Sequence, residues 1–197
     1  MSSPPADADI AAMLRLADGE DLALNEIIDR WQRRVIAFLL RMTGNEAAAV
    51  DLAQETFVHV YQGRARYRPT GTFSTWLFAI AANLARHHLR WQSRHPAVSL
   101  DASTADGDTS ARDLPSTSDD PSQASLRHER ATLVQSAIAD LPPDLREAIV
   151  LSEYEGMSYQ EIAAISDCTT KAVESRLYRA RHHLRQKLQP FFEAALI

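Results

Sequence analysis

The 197-residue sequence holds one cysteine, Cys168, too few thiols for an internal disulfide or a multi-thiolate zinc site. A cystine-stapled scaffold is excluded, and Cys168 reads as an ordinary structural residue. Long apolar runs are scarce as well. The longest, residues 35–40 and 75–82, fall far short of the roughly 20 needed to span a bilayer, and the N-terminus lacks both a basic leader and an apolar segment. No membrane span or export signal is expected, which places the chain in the cytoplasm. There is no Gly-rich phosphate loop, nucleophile motif or paired-carboxylate context, so neither catalysis nor a cofactor is expected. His87–His88 and His182–His183 do not rescue a metal site, because adjacent helical side chains point about 100° apart.

Apolar residues make up 45% of the chain and charged ones 24%, values that fit a folded protein and exclude wholesale disorder. The net charge of −5 at first opposes a nucleic-acid partner. Its distribution reverses that. Residues 56–100 contain no acid but six arginines: Arg64, Arg66, Arg68, Arg86, Arg90 and Arg94. Residues 171–187 carry Lys171, Arg176, Arg179, Arg181, Arg185 and Lys187 against Glu174 alone. The acidity sits between these stripes, where Asp101, Asp106, Asp108, Asp113, Asp119 and Asp120 face only Arg112. That stretch is rich in Ser, Thr, Asp, Pro and Gly and has too few apolar residues to offset its ordering entropy. The chain therefore divides into a helical domain at 8–95, a flexible acidic linker at 96–124 and a second helical domain at 125–190.

Apolar spacing predicts helices over residues 10–17, 22–42, 46–61 and 73–91 in the first domain, and over 126–141, 144–155, a short piece after Ser158, and 170–188 in the second. No alternating strand pattern competes, so the fold class is all-α. Ser158-Tyr159-Gln160-Glu161 matches a capping box. After it come the apolar Ile162, Ala163 and Ile165, the turn Ser166-Asp167-Cys168 and a basic helix with Val173, Leu177, Ala180, Leu184 and Leu188 on one face. This is the layout of a helix-turn-helix, whose second helix enters the major groove. Lys171, Arg176 and Arg179 are placed near its N-terminal half, where arginine can bond guanine and lysine can meet phosphate or base edges. A plain helical hairpin with a solvated basic face is the alternative.

In the first domain, Asp51-Leu52-Ala53-Gln54-Glu55-Thr56-Phe57 precedes Phe73-Ser74-Thr75-Trp76-Leu77-Phe78-Ala79-Ile80-Ala81-Ala82-Asn83. Aromatics among arginines suit single-stranded DNA, whose bases stack on rings while cations follow phosphates; an aromatic core fits the same pattern. Together these segments resemble region two of the extracytoplasmic-function (ECF) sigma factors of bacterial RNA polymerase. The segment around Leu141-Pro142-Pro143 and Arg146-Glu147, with Tyr159 to Ala163 and Val173 to Arg181, resembles region four of the same family.

The resemblance implies two small helical domains and an initiation factor that directs core polymerase to promoters. Asp51, Leu52, Gln54, Glu55 and Phe57 would dock to the β′ clamp helices, and region four would meet the β flap. Tyr67 and Arg68 would belong to the loop that captures a base flipped from the minus-ten element. Asn83, Arg86 and Arg90 would contact the strand or the adjoining duplex, and Trp76 and Phe73 would wedge strands or simply pack. Lys171, Glu174, Ser175, Arg176, Tyr178 and Arg179 would face the minus-thirty-five element. An anti-sigma partner is implied too, and the apolar tail 191–197 would pack on a domain or on a partner. An ordinary two-domain regulator is the rival reading. Its sensor domain should show a ligand pocket or phosphoacceptor pattern where this chain shows the docking and aromatic motifs.

Overall fold

The computed structural model describes residues 6–95 and 121–194, with side chains described for residues 8–95 and 129–191. The stretch read as a linker lies outside the described residues except for its last positions, which open a helix at Pro121. Eight α-helices and no strand occur among the described residues: α1 (Ala6–Ala17), α2 (Ala23–Thr43), α3 (Glu46–Gly63), α4 (Phe73–Arg94), α5 (Pro121–Ala139), α6 (Pro143–Glu153), α7 (Tyr159–Ile165) and α8 (Thr170–Ala194).

In the first unit α2 is the hub, against which α1, α3 and α4 pack. Its stripe Ile27, Trp31, Val35, Phe38, Leu39 and Met42 is buried at the spacing of one helix face. The helix stops where Gly44 takes a left-handed conformation, φ 68°, and its N–H donates to the Leu40 carbonyl. Asn45 then caps α3 by accepting from the Ala48 N–H at 2.9 Å. Phe38, Phe73 and Phe78 are fully buried, and Trp31 meets Phe73 and Phe78 edge to face at 5.8 and 6.2 Å. A 3-10 turn, Arg64–Arg66, tightens the start of the expected loop.

In the second unit α6, α7 and α8 enclose Leu145, Ile149, Leu151, Ile162, Val173, Leu177 and Ala180. The capping box forms as the sequence predicts: Ser158 accepts from the Glu161 N–H, while the Glu161 carboxylate accepts from the Ser158 N–H at 2.9 Å. Between α7 and α8 the chain turns at Asp167, φ 48°, a left-handed position that Asp tolerates better than most side chains. The last helix runs past its expected end near Leu188, through Pro190. A proline removes a backbone donor and crowds the turn before it, yet the helix continues for about one turn more.

Candidate nucleic-acid and partner interfaces

Helices α2 and α3 do not close completely against each other. Leu24, Ile28, Ile36, Val50, Phe57 and Tyr61 line a groove of about 660 Å³, with Gln32 and Gln54 at its edge. Asp51, Gln54 and Glu55 stand exposed beside it, and Val58 is half exposed. Leu52 and Phe57 are buried, 8% and 7% exposed; Phe57 lines the groove, whereas Leu52 packs in the core of the unit. Of the five residues predicted to dock a partner, three therefore present polar groups, Phe57 supplies apolar lining and Leu52 is core.

Arg64–Arg66 and the following loop lead into α4, whose N-terminus is capped by Thr72 accepting from the Thr75 N–H. Tyr67 is not a surface residue of this loop. It is 6% exposed, its ring sits edge to face with Trp76 at 5.0 Å and Phe73 at 6.2 Å, and burial, helped by Asp9, raises its hydroxyl pKa. Phe73, 1% exposed, is likewise core. Both rings are packed in the core. Arg68 is exposed, with its guanidinium donating to the Tyr67 carbonyl at 2.9 Å. Trp76 is half buried and seated so closely over Gly63 that a Cβ there would approach its ring to 3.3 Å. It shares a cavity of about 510 Å³ with His59, Gly63, Arg66, Asn83 and Arg86. Asn83 and Arg90 are exposed on α4, and Arg86 is partly buried.

On α8 the stripe Val173, Leu177 and Ala180 is buried, while Lys171, Glu174, Ser175, Tyr178 and Arg179 are exposed. Tyr178 is 74% exposed, an unusual position for a large ring in a solvated hairpin. Arg176 is held differently: its Nε lies 3.7 Å from Asp144 and its Nη1 donates to the Cys168 sulfur at 3.5 Å. Arg179 approaches the same Asp144 at 3.9 Å. Short helix, left-handed turn and a second helix with exposed polar residues along its first half make a helix-turn-helix.

The model of sigma-70 region 2 matches residues 27–95 and that of sigma-70 region 4 matches residues 131–184. The chain is 34% identical to the RNA polymerase sigma-H factor of Pseudomonas aeruginosa over 92% of this chain and 94% of that protein. It is 36% identical to the ECF RNA polymerase sigma-E factor of Haemophilus influenzae over 92% and 96%. The chain belongs to the ECF sigma factors. A solved structure of CnrH in complex with the cytosolic domain of CnrY is similar over 93% of this chain and 98% of that one, with 28% identity and a TM-score of 0.65. This sigma factor is a transcription initiation factor and not an enzyme; it binds RNA polymerase and promoter DNA and directs initiation at minus-ten and minus-thirty-five elements. No helix among the described residues is long and apolar enough to cross a membrane.

The two regions of the sigma factor also meet each other, through contacts that the sequence reading did not foresee. Arg86 Nη1 lies 2.8 Å from each oxygen of Glu147, which is 3% exposed and also accepts from the Ser166 hydroxyl at 2.6 Å. Arg34 donates to Glu155 at 3.0 and 3.2 Å, and Arg41 stacks on the Tyr154 ring at 4.0 Å. Thr72 and Thr75 donate to Glu161 at 3.0 and 3.2 Å. Arg146 donates to the carbonyls of Met42, Ala139 and Leu141, and burial lowers its pKa. One signal for Glu147 was available: it is an acid placed directly among Leu145, Ala148 and Ile149, on a helix that buries all three. Arg34 and Glu155 gave none, since a pair 121 positions apart leaves no periodic trace.

Proposed function

We propose that the groove between α2 and α3 receives the β′ clamp helices of core polymerase, with Asp51, Gln54 and Glu55 bonding at its edge, Phe57 keeping it apolar and Leu52 holding α3 in place from the core. The observation that carries this is an open groove of about 660 Å³ lined by aliphatic and aromatic side chains, with acids and amides beside it. An amphipathic helix laid in such a groove buries its apolar face and meets polar partners along the rim.

The loop before α4 and the exposed side of α4 then take the minus-ten element. Arg68 is the loop residue turned to solvent, Tyr67 holds the loop from beneath, and Trp76, Asn83, Arg86 and Arg90 follow the strand and the adjoining duplex. Lys171, Glu174, Ser175, Arg176, Tyr178 and Arg179 on α8 read the minus-thirty-five element, where arginine bonds guanine and glutamate accepts from cytosine N4. Region four meets the β flap. An anti-sigma factor holds the protein inactive, a reading supported by the likeness to CnrH, which was solved in complex with the cytosolic domain of CnrY. The site of action is the cytoplasm, where polymerase works.

The test combines capture on core polymerase, duplex binding and runoff transcription. Glu55→Ala is expected to weaken core capture about tenfold with minus-thirty-five duplex binding unchanged. Arg179→Ala is expected to weaken duplex binding about tenfold, the loss of roughly one good arginine contact, with core capture unchanged. Equal loss of both activities in both variants would mean that the substitutions only damage folding.

A further inference from the structure

Asp9 Oδ1, Arg30 Nε and the Tyr67 hydroxyl are buried and have no hydrogen-bond partner among the described residues. Asp9 is 2% exposed on α1, a helix that otherwise turns Ala12, Met13 and Leu16 into the core. Burying a carboxylate there is strongly unfavourable unless a cation and donors meet it. Arg30 does so at 2.9 Å, but obliquely, so that neither its Nε nor Asp9 Oδ1 gains an aligned hydrogen bond. Arg30 Nη2 donates instead to the Ala8 carbonyl at 3.4 Å. The pair neutralises Asp9 and leaves it able to accept from another donor.

Tyr67 is that donor. Its ring packs on Phe73 and Trp76. Burial, and then the negative charge of Asp9, hold its hydroxyl above the ordinary pKa, so the two groups are electrostatic neighbours and the hydroxyl keeps its proton. A protonated hydroxyl donates and a carboxylate only accepts, so the two are complementary. The main chain of Tyr67 carries the loop: its N–H donates to the Arg64 carbonyl at 3.3 Å, and its carbonyl accepts from the exposed Arg68 guanidinium at 2.9 Å. Helix α1 packs on the same Arg64–Arg66 turn and on α4, and so reaches the loop from its buried side.

Resting on the minus-ten reading of this loop, we propose that Asp9 is a positioning residue for promoter opening: held by Arg30, it fixes the Tyr67 hydroxyl, and through Tyr67 it sets the loop that presents Arg68 to a flipped base. Asp9 itself touches no DNA. A loop fixed in advance matters most where the duplex has still to be opened, because extruding a base from a paired stack carries an unstacking cost that a melted site lacks.

The test uses the full chain with core polymerase on two promoter templates, one fully duplex and one already unpaired across the minus-ten element. Asp9→Asn keeps the size and removes the charge. It should slow open-complex formation on the duplex about fivefold, the effect of one net hydrogen bond, and leave the unpaired template nearly unchanged. Core capture, minus-thirty-five duplex binding and helical circular dichroism should stay at the wild-type level. Tyr67→Phe, which removes one oxygen and keeps the ring, should behave alike, and the double variant should fall no further than either single one, since both remove the same interaction. A role in folding alone would lower both templates equally and add up in the double variant. Equal loss on both templates, additive losses, or wild-type opening by both single variants overturns the positioning role. Should Asp9→Asn lose helicity, Tyr67→Phe decides: loss confined to the duplex template upholds positioning through the hydroxyl, and any other result overturns it. Arg68→Ala tests the minus-ten reading by itself. Wild-type opening by that variant means that the loop does not read the promoter, whereas its loss beside wild-type opening by Asp9→Asn and Tyr67→Phe removes the positioning role alone.

Discussion

Glu147 shows how much one side chain can be asked to do. It is nearly solvent-free, bonds Arg86 across the seam and holds the Ser166 hydroxyl at the entry to the helix-turn-helix turn. Glu147→Gln keeps the shape but removes the charge and one acceptor. Its expected cost is about 1–3 kcal/mol, the range for leaving buried polar groups short of a partner, read from urea unfolding. Phe78→Ala should cost more, about 3–5 kcal/mol, because a fully buried ring leaves a cavity that Trp31 and Phe38 cannot fill. The two variants separate by a second readout: only Glu147→Gln should change duplex affinity in the free factor. At this scale the sequence was informative where chemistry is local. Asp51, Gln54, Glu55, Lys171, Ser175 and Arg179 are exposed as expected. It was silent on the burial of Tyr67, whose neighbours Arg66 and Arg68 are exposed while its own ring lies in the core. A polar loop context hides that a single ring can turn inward.

Among the elements, α7 depends most on its cap, because seven residues make fewer than two full turns of backbone bonding. Ser158→Ala should cost about 1 kcal/mol, measured by thermal unfolding, and should loosen the recognition helix that α7 supports. Its partner Glu161 carries a pH signature. Partial burial works to raise its pKa, but hydrogen bonds from Ser158, Thr72 and Thr75 outweigh this and leave it lowered. A lowered folded value means that the stabilisation is complete above the ordinary carboxylate range and is lost as pH falls through the folded value. Unfolding midpoints measured between pH 7 and 3 should show that loss in the wild type and much less of it in Glu161→Gln. Helix limits were legible because caps and breakers are local signals: Thr43-Gly44-Asn45 and Ser158 mark their boundaries in the sequence and in space alike. The extension of α8 past Pro190 was not legible, since a proline ordinarily signals a stop.

For the molecule as a whole, the relation between the two regions is what pattern could not supply. Periodicity predicts which face of a helix is buried but not which other helix covers it, and the seam is built from pairs far apart in sequence, such as Arg34 with Glu155 and Thr72 with Glu161. Acid acts on this seam in two opposite senses. The raised pKa of Glu155 means that the folded state gains stability as pH falls through that raised value, because the neutral acid is buried at less cost. Protonation of Glu161 withdraws its bonds to α4 and takes stability away. Thermal unfolding at a series of pH values should show the gain in the wild type and lose it in Glu155→Gln.

The hold of Glu147 on Arg86 also bears on where the molecule spends its time. A bacterial chromosome offers on the order of 10⁶ or more non-specific sites, each attracting any uncovered cluster of cations. With Arg86 already facing a carboxylate, the factor offers one cation fewer to that vast excess of irrelevant DNA and is retained by it less well. It stays dissolved and countable, so that the number of molecules released by a signal translates directly into the number that reach polymerase.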